Sequence, residues 1–327
     1  MKKLDFVIAW VDGSDENHRL KRQKFQPENV VKGAAEDTRF AHNDEIYFSI
    51  ASILKYVPYC GTIYIITDHQ QPSFVGEFEA QGLCRSGQIQ VVDHQEIFRN
   101  YQQYLPTFNS LSIESMLWNI KGISNHFIYL NDDFFFNQQS DLSDFLIDGQ
   151  MVIYGHWQAT LIKKMKYIFR KFLQQNFGMV AEAKYSTAQM LSADRVGMTR
   201  YYEIHHRPHI LSRDLLSTYF KNNKELLEQQ IQFKFRNIDQ LLPVGLSNHL
   251  AIQSDQAILK DDIDIAYLKD GRDLEKFILA LSNSEIKFGC IQSLDQLESL
   301  AEGRIRAALI QKFTGFLPSQ IQPTTVV

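Results

Sequence analysis

Four short runs in the first 135 residues constrain the fold of this chain more than any other feature. Asp5–Val11 (DFVIAWV), Thr62–Thr67 (TIYIIT), Ile89–Val92 (IQVV) and Phe127–Leu130 (FIYL) are apolar and rich in β-branched or aromatic side chains. Runs of this length, apolar on both faces, read as buried strands. Helical patterns lie between them. Ile46, Ile50, Ile53, Leu54 and Val57 recur at helical spacing, with Asn43 placed to cap and Asp44 and Glu45 in the first turn. Ile113, Met116, Leu117 and Ile120 repeat that spacing. Strands alternating with helices predict an α/β fold, a Rossmann-like sheet flanked by helices.

Each run ends at acid: Asp12, Asp68, Asp93 and the pair Asp132–Asp133. Ligands of open α/β sheets bind outside the carboxyl ends of the strands. Asp68 and Asp93 read as turn starters, a common use of aspartate after a strand. Asp12 and the Asn131-Asp132-Asp133 sequence read as functional. Two adjacent carboxylates at a strand end repel unless a cation compensates them. Oxygen ligation suits Mg²⁺ or Mn²⁺, which share their coordination with water and phosphate.

A cationic segment is the second constellation. His205, His206, Arg207, His209 and Arg213 fall within nine residues, and Arg236 and His249 lie farther on. Arginine suits bidentate contact with phosphate, and histidine suits proton transfer near neutral pH. His205 and His209 read as solvated or core histidines; His206 reads as functional. Carboxylates with a metal beside a His/Arg cluster meet the needs of phosphoryl transfer from a diphosphate ester, where positioning and charge neutralisation do most of the work.

Composition excludes several classes. Thirty-four Lys+Arg against 38 Asp+Glu give a net charge of −4, so no general affinity for nucleic acid is expected. Cys60, Cys84 and Cys290 are far apart and form no CxxC pair, against a zinc cluster or a disulfide scaffold. The apolar run Phe6–Val11 is too short for a signal peptide, and no stretch reaches a membrane span. A cytoplasmic protein, at most peripheral to a membrane, is expected.

The chain reads as a single catalytic domain over 1–327, with a helical insertion or cap at 140–200 and a frayed tail at 316–327. Within the insertion, Leu161–Phe177 carries five cationic side chains and no acid, with apolar residues at helical spacing. That is the signature of a basic amphipathic helix able to contact an anionic membrane. An ordinary helix packing its stripe on the core is the alternative.

Four blocks resemble the Stealth family of sugar-1-phosphate transferases. The first is FVIAWVDGSDENH at Phe6–His18. The second, running from Thr38 to Phe136, holds RFAHNDEIYFSIASILKYVP, IYIITDHQQP, VVDHQEIF, LPTFNSLSIES and HFIYLNDDFFF. The third holds HRPHILSRDLL, FKFRNID and SNHLAIQ, from His206 to Gln253. A fourth, near Cys290, departs from the family with Gln292 and Ser293 in place of Asn-Asp. The resemblance implies a GT-A-like mixed sheet. It also implies a transferase moving a sugar-1-phosphate from a UDP-sugar to a glycan hydroxyl, with release of UMP, in capsular or cell-surface polysaccharide synthesis.

Carried onto this chain, the family's active-site motifs fall on Asp12, Asn109, Ser110, Asp132, His206 and Arg236, and in part on His249. Asp132 with Asp133 would hold Mg²⁺ or Mn²⁺. Arg236, Arg39 and Arg213 would neutralise phosphate oxygens, and His206 or His249 would take the acceptor proton. Asn43, Asn109 and Ser110 would contact substrate. Trp10 would stack on uracil or lie buried in its strand. The other readings are a metal-dependent glycosyltransferase releasing UDP and a non-enzymatic carbohydrate-binding protein.

Overall fold

All four predicted runs are strands of one sheet. The computed structural model describes residues 3–26, 43–179, 183–292 and 294–321. In it the runs become β1 (Leu4–Ala9), β2 (Cys60–Thr67), β3 (Ile89–Asp93) and β4 (His126–Asn131). They lie parallel in the order β4-β1-β2-β3. The chain thus steps from β1 outward through β2 to β3, then crosses to the other side of β1 for β4. This reversal opens a crevice at the carboxyl ends of β1 and β4, where Ala9 pairs with Asn131. Asp12 and Asp132 follow those two ends.

Two residues past β4, β5 (Phe134–Phe136) leaves the main sheet. Next come β6 (Leu146–Ile147), β7 (Gln150–Tyr154), β8 (His156–Ala159), β9 (Arg200–Glu203) and β10 (His209–Ser212). β10 returns antiparallel along the free edge of β4, which makes the five-stranded sheet mixed. β11 (Ala257–Lys260) joins β7 and β6, β12 (Ala266–Leu268) and β13 (Phe288–Ile291) join β5, and β8 pairs with β9. The insertion at 140–200 therefore contains short strands as well as the Thr160–Phe177 and Tyr185–Arg195 helices.

The Glu45–Tyr56 helix packs its stripe on β5, with Ile46, Ile50 and Ile53 wholly buried. Each such side chain contributes about 1.5–3 kcal/mol. Its start differs from expectation. Asp44, not Asn43, is the cap residue, at φ 64°, and its side chain makes no cap bond. Asp44 turns instead to Arg306 (3.1 Å), and the Glu45 carboxylate accepts the Asn43 N–H (2.6 Å). Of the tail expected to fray from 316, Leu317 and Ile321 are buried and 322–327 lie outside the described residues.

The Thr160–Phe177 helix forms as expected, but its apolar stripe faces away from the body. Leu161, Ile162, Met165, Ile168, Phe169 and Phe172 are 51–66% exposed. Its inward face is polar: Lys163 pairs with Glu203, Lys164 with Asp194, and Lys171 and the Tyr167 hydroxyl with Asp239. Among the described residues no helix is long and apolar enough to cross a membrane.

Candidate active site

At the end of β4 three carboxyls crowd together. Asp132 and Asp133 come from the turn after the strand, and Glu45 from the first turn of the helix opposite. Burial pushes the Asp132 carboxyl well above the usual range, and Asp133 and Glu45 push it further. Burial raises Asp133 to about 6 and Glu45 to about 7, the latter with a contribution from Asp133. Asp133 Oδ2 accepts from the Cys290 thiol (3.4 Å), and its carbonyl accepts the Ile291 N–H (2.9 Å). Its Oδ1 is buried without a hydrogen-bond partner among the described residues. An orphaned carboxylate oxygen among raised carboxyls fits a hard divalent cation, which would replace the missing donor and the shared protons.

An aromatic and cationic cluster adjoins them through Phe134, the residue after Asp133. His206 stacks on Tyr185 (centroids 4.9 Å apart, 23° between planes), lies parallel to Tyr267 at 6.3 Å, and meets the edge of Phe134 at 6.2 Å. Burial lowers its pKa, and Arg236 and His205 lower it further. These influences favour the uncharged ring, and stacking sets its plane. Arg236 Nη2 donates to Ser110 Oγ at 2.7 Å. Below Arg236, burial raises the Glu114 carboxyl to about 7 although Arg236 pulls it down. Glu114 also bonds Tyr129, whose hydroxyl donates to Asn131 Oδ1 at 2.8 Å. Glu114 is thus a buried acid between Arg236, whose charge it feels, and the Tyr129–Asn131 pair at the end of β4.

The structure gathers some of the predicted residues and disperses others. Asp12 sits at the mouth of the crevice; its Oδ1 accepts from the Ser14 amide and hydroxyl (2.8 and 2.6 Å). Asn43 lies at the start of the helix that carries Glu45, and its carbonyl accepts from Arg306 (2.8 Å). Trp10 is buried, 6% exposed, which favours its reading as a core side chain over one open to a base. Arg39 lies outside the described residues.

Three residues expected at the site stand elsewhere. Asn109 is wholly buried and its side chain is spent: it caps Ser110–Glu114 by accepting the Leu111 N–H (3.1 Å) and donates to Phe233 O and Gln240 Oε1 (3.2 and 2.8 Å). It anchors the loop that carries Arg236 and does not face the crevice. His249 is a core histidine with no exposure, and its Nε2 accepts the Tyr202 N–H at 3.0 Å. That lone pair cannot take an acceptor proton. Arg213 sits past Ser212, which pairs with His126 at the amino end of β4. There it bonds Asp214 and the Ile123 carbonyl, at the wrong end of the sheet.

Asp68 pairs with Lys21 (2.8 Å), Asp93 caps its helix in a capping box, and His209 is buried in β10. His205 is exposed and pairs with Asp262. Sequence reasoning missed Glu45, Glu114, Tyr185 and Tyr267 as site residues. For Glu114 there was a signal: an acid among the apolar residues of SLSIES. The tyrosines had none, because their role is set by which ring they touch.

Residues 39–153 match the Stealth protein CR2, conserved region 2. The chain thus carries a Stealth conserved region. Curated relatives include a capsular polysaccharide phosphotransferase of Actinobacillus pleuropneumoniae, 39% identical over 145 residues, covering 43% of this chain and 38% of the relative. Another, from Neisseria meningitidis, is 40% identical over 137 residues, covering 41% and 35%. An exopolysaccharide phosphotransferase of Streptomyces coelicolor is 30% identical over 271 residues, covering 82% of this chain and 27% of the relative. The matched region thus spans well under half of each relative's length. Among solved structures, the bifunctional glycosyltransferase WbbM (apo) is similar at TM-score 0.46 and 8% identity, covering 96% of this chain and 50% of that one. The galactosyltransferase LgtC, with donor and acceptor analogues, is similar at TM-score 0.42 and 13% identity, covering 98% of each. Likeness this loose carries no argument about function. The mixed α/β sheet stands on its own strand order.

Proposed function

We propose that this protein transfers a sugar-1-phosphate from a UDP-sugar to a glycan hydroxyl, releasing UMP and forming a phosphodiester during capsular or cell-surface polysaccharide synthesis. The observation that carries this reading is the raised carboxyl cluster at the strand-reversal crevice, adjoined through Phe134 by the stacked His206, whose electrostatic neighbour is Arg236. Such a site matches a diphosphate better than a neutral sugar. A divalent cation, Mg²⁺ or Mn²⁺, would be held by Asp132 and Asp133, with Glu45 adjoining. Bound there, it would neutralise diphosphate charge.

The chain's own residues do the rest. Arg236, oriented by Ser110 and backed by Glu114, offers its remaining N–H groups to phosphate oxygens. His206 accepts the proton of the acceptor hydroxyl as the new O–P bond forms. The bond from that phosphorus to the oxygen of UMP breaks, and UMP leaves with the electron pair. Neutrality of His206 at working pH is what makes it a base, and its stacked ring fixes the direction of its lone pair.

The test is incubation with a panel of UDP-sugars, Mg²⁺ and glycan acceptors, resolving UMP from UDP. UMP rising in step with product is expected. UDP rising instead would make the protein a conventional glycosyltransferase, and no metal-dependent nucleotide release would leave a binding protein. Asp132→Asn should abolish turnover with the fold intact. His206→Ala should lower kcat more than it weakens donor binding.

The acceptor in this reading is carried on a lipid at the inner face of the plasma membrane, which places the protein in the cytoplasm. Support comes from the outward apolar face of the Thr160–Phe177 helix, flanked by the exposed Lys166 and the half-buried Arg170. Apolar side chains edged by cations match an anionic lipid surface.

A further inference from the structure

Away from the carboxyl cluster, His156, His205 and Asp262 bring three ligand atoms within 4.8 Å of one another. His156 Nδ1 lies 2.5 Å from Asp262 Oδ2, and His205 Nε2 lies 3.3 Å from Asp262 Oδ1. The three residues come from three strand ends. His156 opens β8, His205 follows β9 and Asp262 follows β11. These ends are tied together: the Lys260 carbonyl accepts from the Gly155 N–H (2.9 Å) and the Tyr202 hydroxyl (2.7 Å). Glycine at 155 is required, since a Cβ there would lie 2.1 Å from the Glu203 carbonyl oxygen. The other nitrogen of His156 faces Glu203 Oε2 at 3.7 Å, and that carboxylate is held by the Tyr201 hydroxyl (3.2 Å) and Lys163 (3.3 Å). At that separation the carboxylate acts on the imidazole by charge and not by a hydrogen bond, on the side where a metal-bound histidine commonly has an acid.

We propose that His156, His205 and Asp262 form a second metal site, selective for Zn²⁺ over the hard cation of the carboxyl cluster. Two imidazoles and one carboxylate suit a borderline ion, and Mg²⁺ prefers oxygen alone. The three side chains are 37–55% exposed, so one side of the ion stays open to water or a ligand. The site would fix the backbone one residue before His206 and so hold the segment that carries the base. An unmetallated His–Asp–His contact is the competing arrangement.

The untagged full chain, stripped by chelation, is titrated with Zn²⁺ against a chromophoric chelator, and with Co²⁺ by visible absorption. One tight equivalent is expected in wild type. Binding should weaken about tenfold or more in His156→Gln, Asp262→Asn and His205→Gln, each checked for folding by circular dichroism. Asp132→Asn and Cys290→Ser should keep the zinc. Wild type binding no more tightly than folded Asp262→Asn overturns the proposal. So does loss of the equivalent in Asp132→Asn, which would place the zinc in the carboxyl cluster. Zinc binding is read without donor or turnover, so it stands or falls separately from UMP release.

Discussion

The Glu45–Tyr56 and Thr160–Phe177 helices both carry an apolar stripe at helical spacing, and the fold turns the two stripes in opposite directions. In the first, Ile46, Ile50 and Ile53 are wholly buried against β5. In the second, the stripe is exposed and the lysines reach inward to Glu203, Asp194 and Asp239. Amphipathicity says that one face differs from the other. Only the surface beneath the helix decides which face turns inward. The inner helix has an apolar sheet below it and delivers Glu45 to the crevice. The outer one lies over a rim of acids, so its lysines are its adhesive side and its stripe is left exposed.

The largest expected effect tests that contrast directly. Ile50→Asp buries an unpaired charge and should cost more than about 4 kcal/mol. Ile168→Asp, on a side chain 55% exposed, should stay within about 0.5 kcal/mol of wild type. Urea denaturation measures both. Equal destabilisation would break the comparison, because the outer stripe would then be covered in solution.

A second effect concerns what the inner helix holds. The carboxyls of Glu45 and Asp133 are raised to about 7 and about 6, and Asp132 is raised further. Without metal these groups keep protons in the folded chain that the unfolded chain has already released, so their contribution to stability falls as pH rises through about 6–7. A cation must displace those protons. Affinity for Mg²⁺ or Mn²⁺ should therefore climb with pH, by up to about tenfold per unit for each proton displaced. Calorimetry in buffers of different ionisation enthalpy reads the proton count. Glu45→Gln should flatten the climb near pH 7; a pH-independent affinity would remove the carboxyls from the metal site.

The smallest effect sharpens the outer helix. Lys166→Ala should weaken binding to anionic vesicles by about 1 kcal/mol, roughly fivefold. Salt should weaken the wild-type interaction further. Co-sedimentation with neutral and anionic vesicles measures this. If wild type ignores anionic vesicles at low salt, the stripe belongs to a protein partner.

The sheet was legible because its signals are local. A short apolar run ending in aspartate is a strand and the turn after it, and DFVIAWV or FIYLNDD carries both in a few residues. Asp132 and Asp133 were legible for the same reason, since a residue that follows a strand is delivered to its carboxyl end by covalent connection alone. The histidines were not separable in that way. His206 lies against Tyr185 and Tyr267, whereas His249 lies under Tyr202 with its lone pair used. Asn109 sits within a motif of the crevice, yet spends its amide on Phe233 and Gln240.

Local chemistry in the chain therefore determined the alternating strands and helices, the acids at the strand ends and the stripe on each helix. The tertiary structure alone decided the direction in which the outer stripe faces, the end of the sheet at which Arg213 stands and the histidine, His249, whose lone pair is taken by a backbone N–H. The reason is physical. Hydrophobic periodicity and turn chemistry act over a few residues, while burial, hydrogen-bond satisfaction and the charge felt by a side chain depend on groups brought from more than a hundred positions away, as Ser110 meets Arg236.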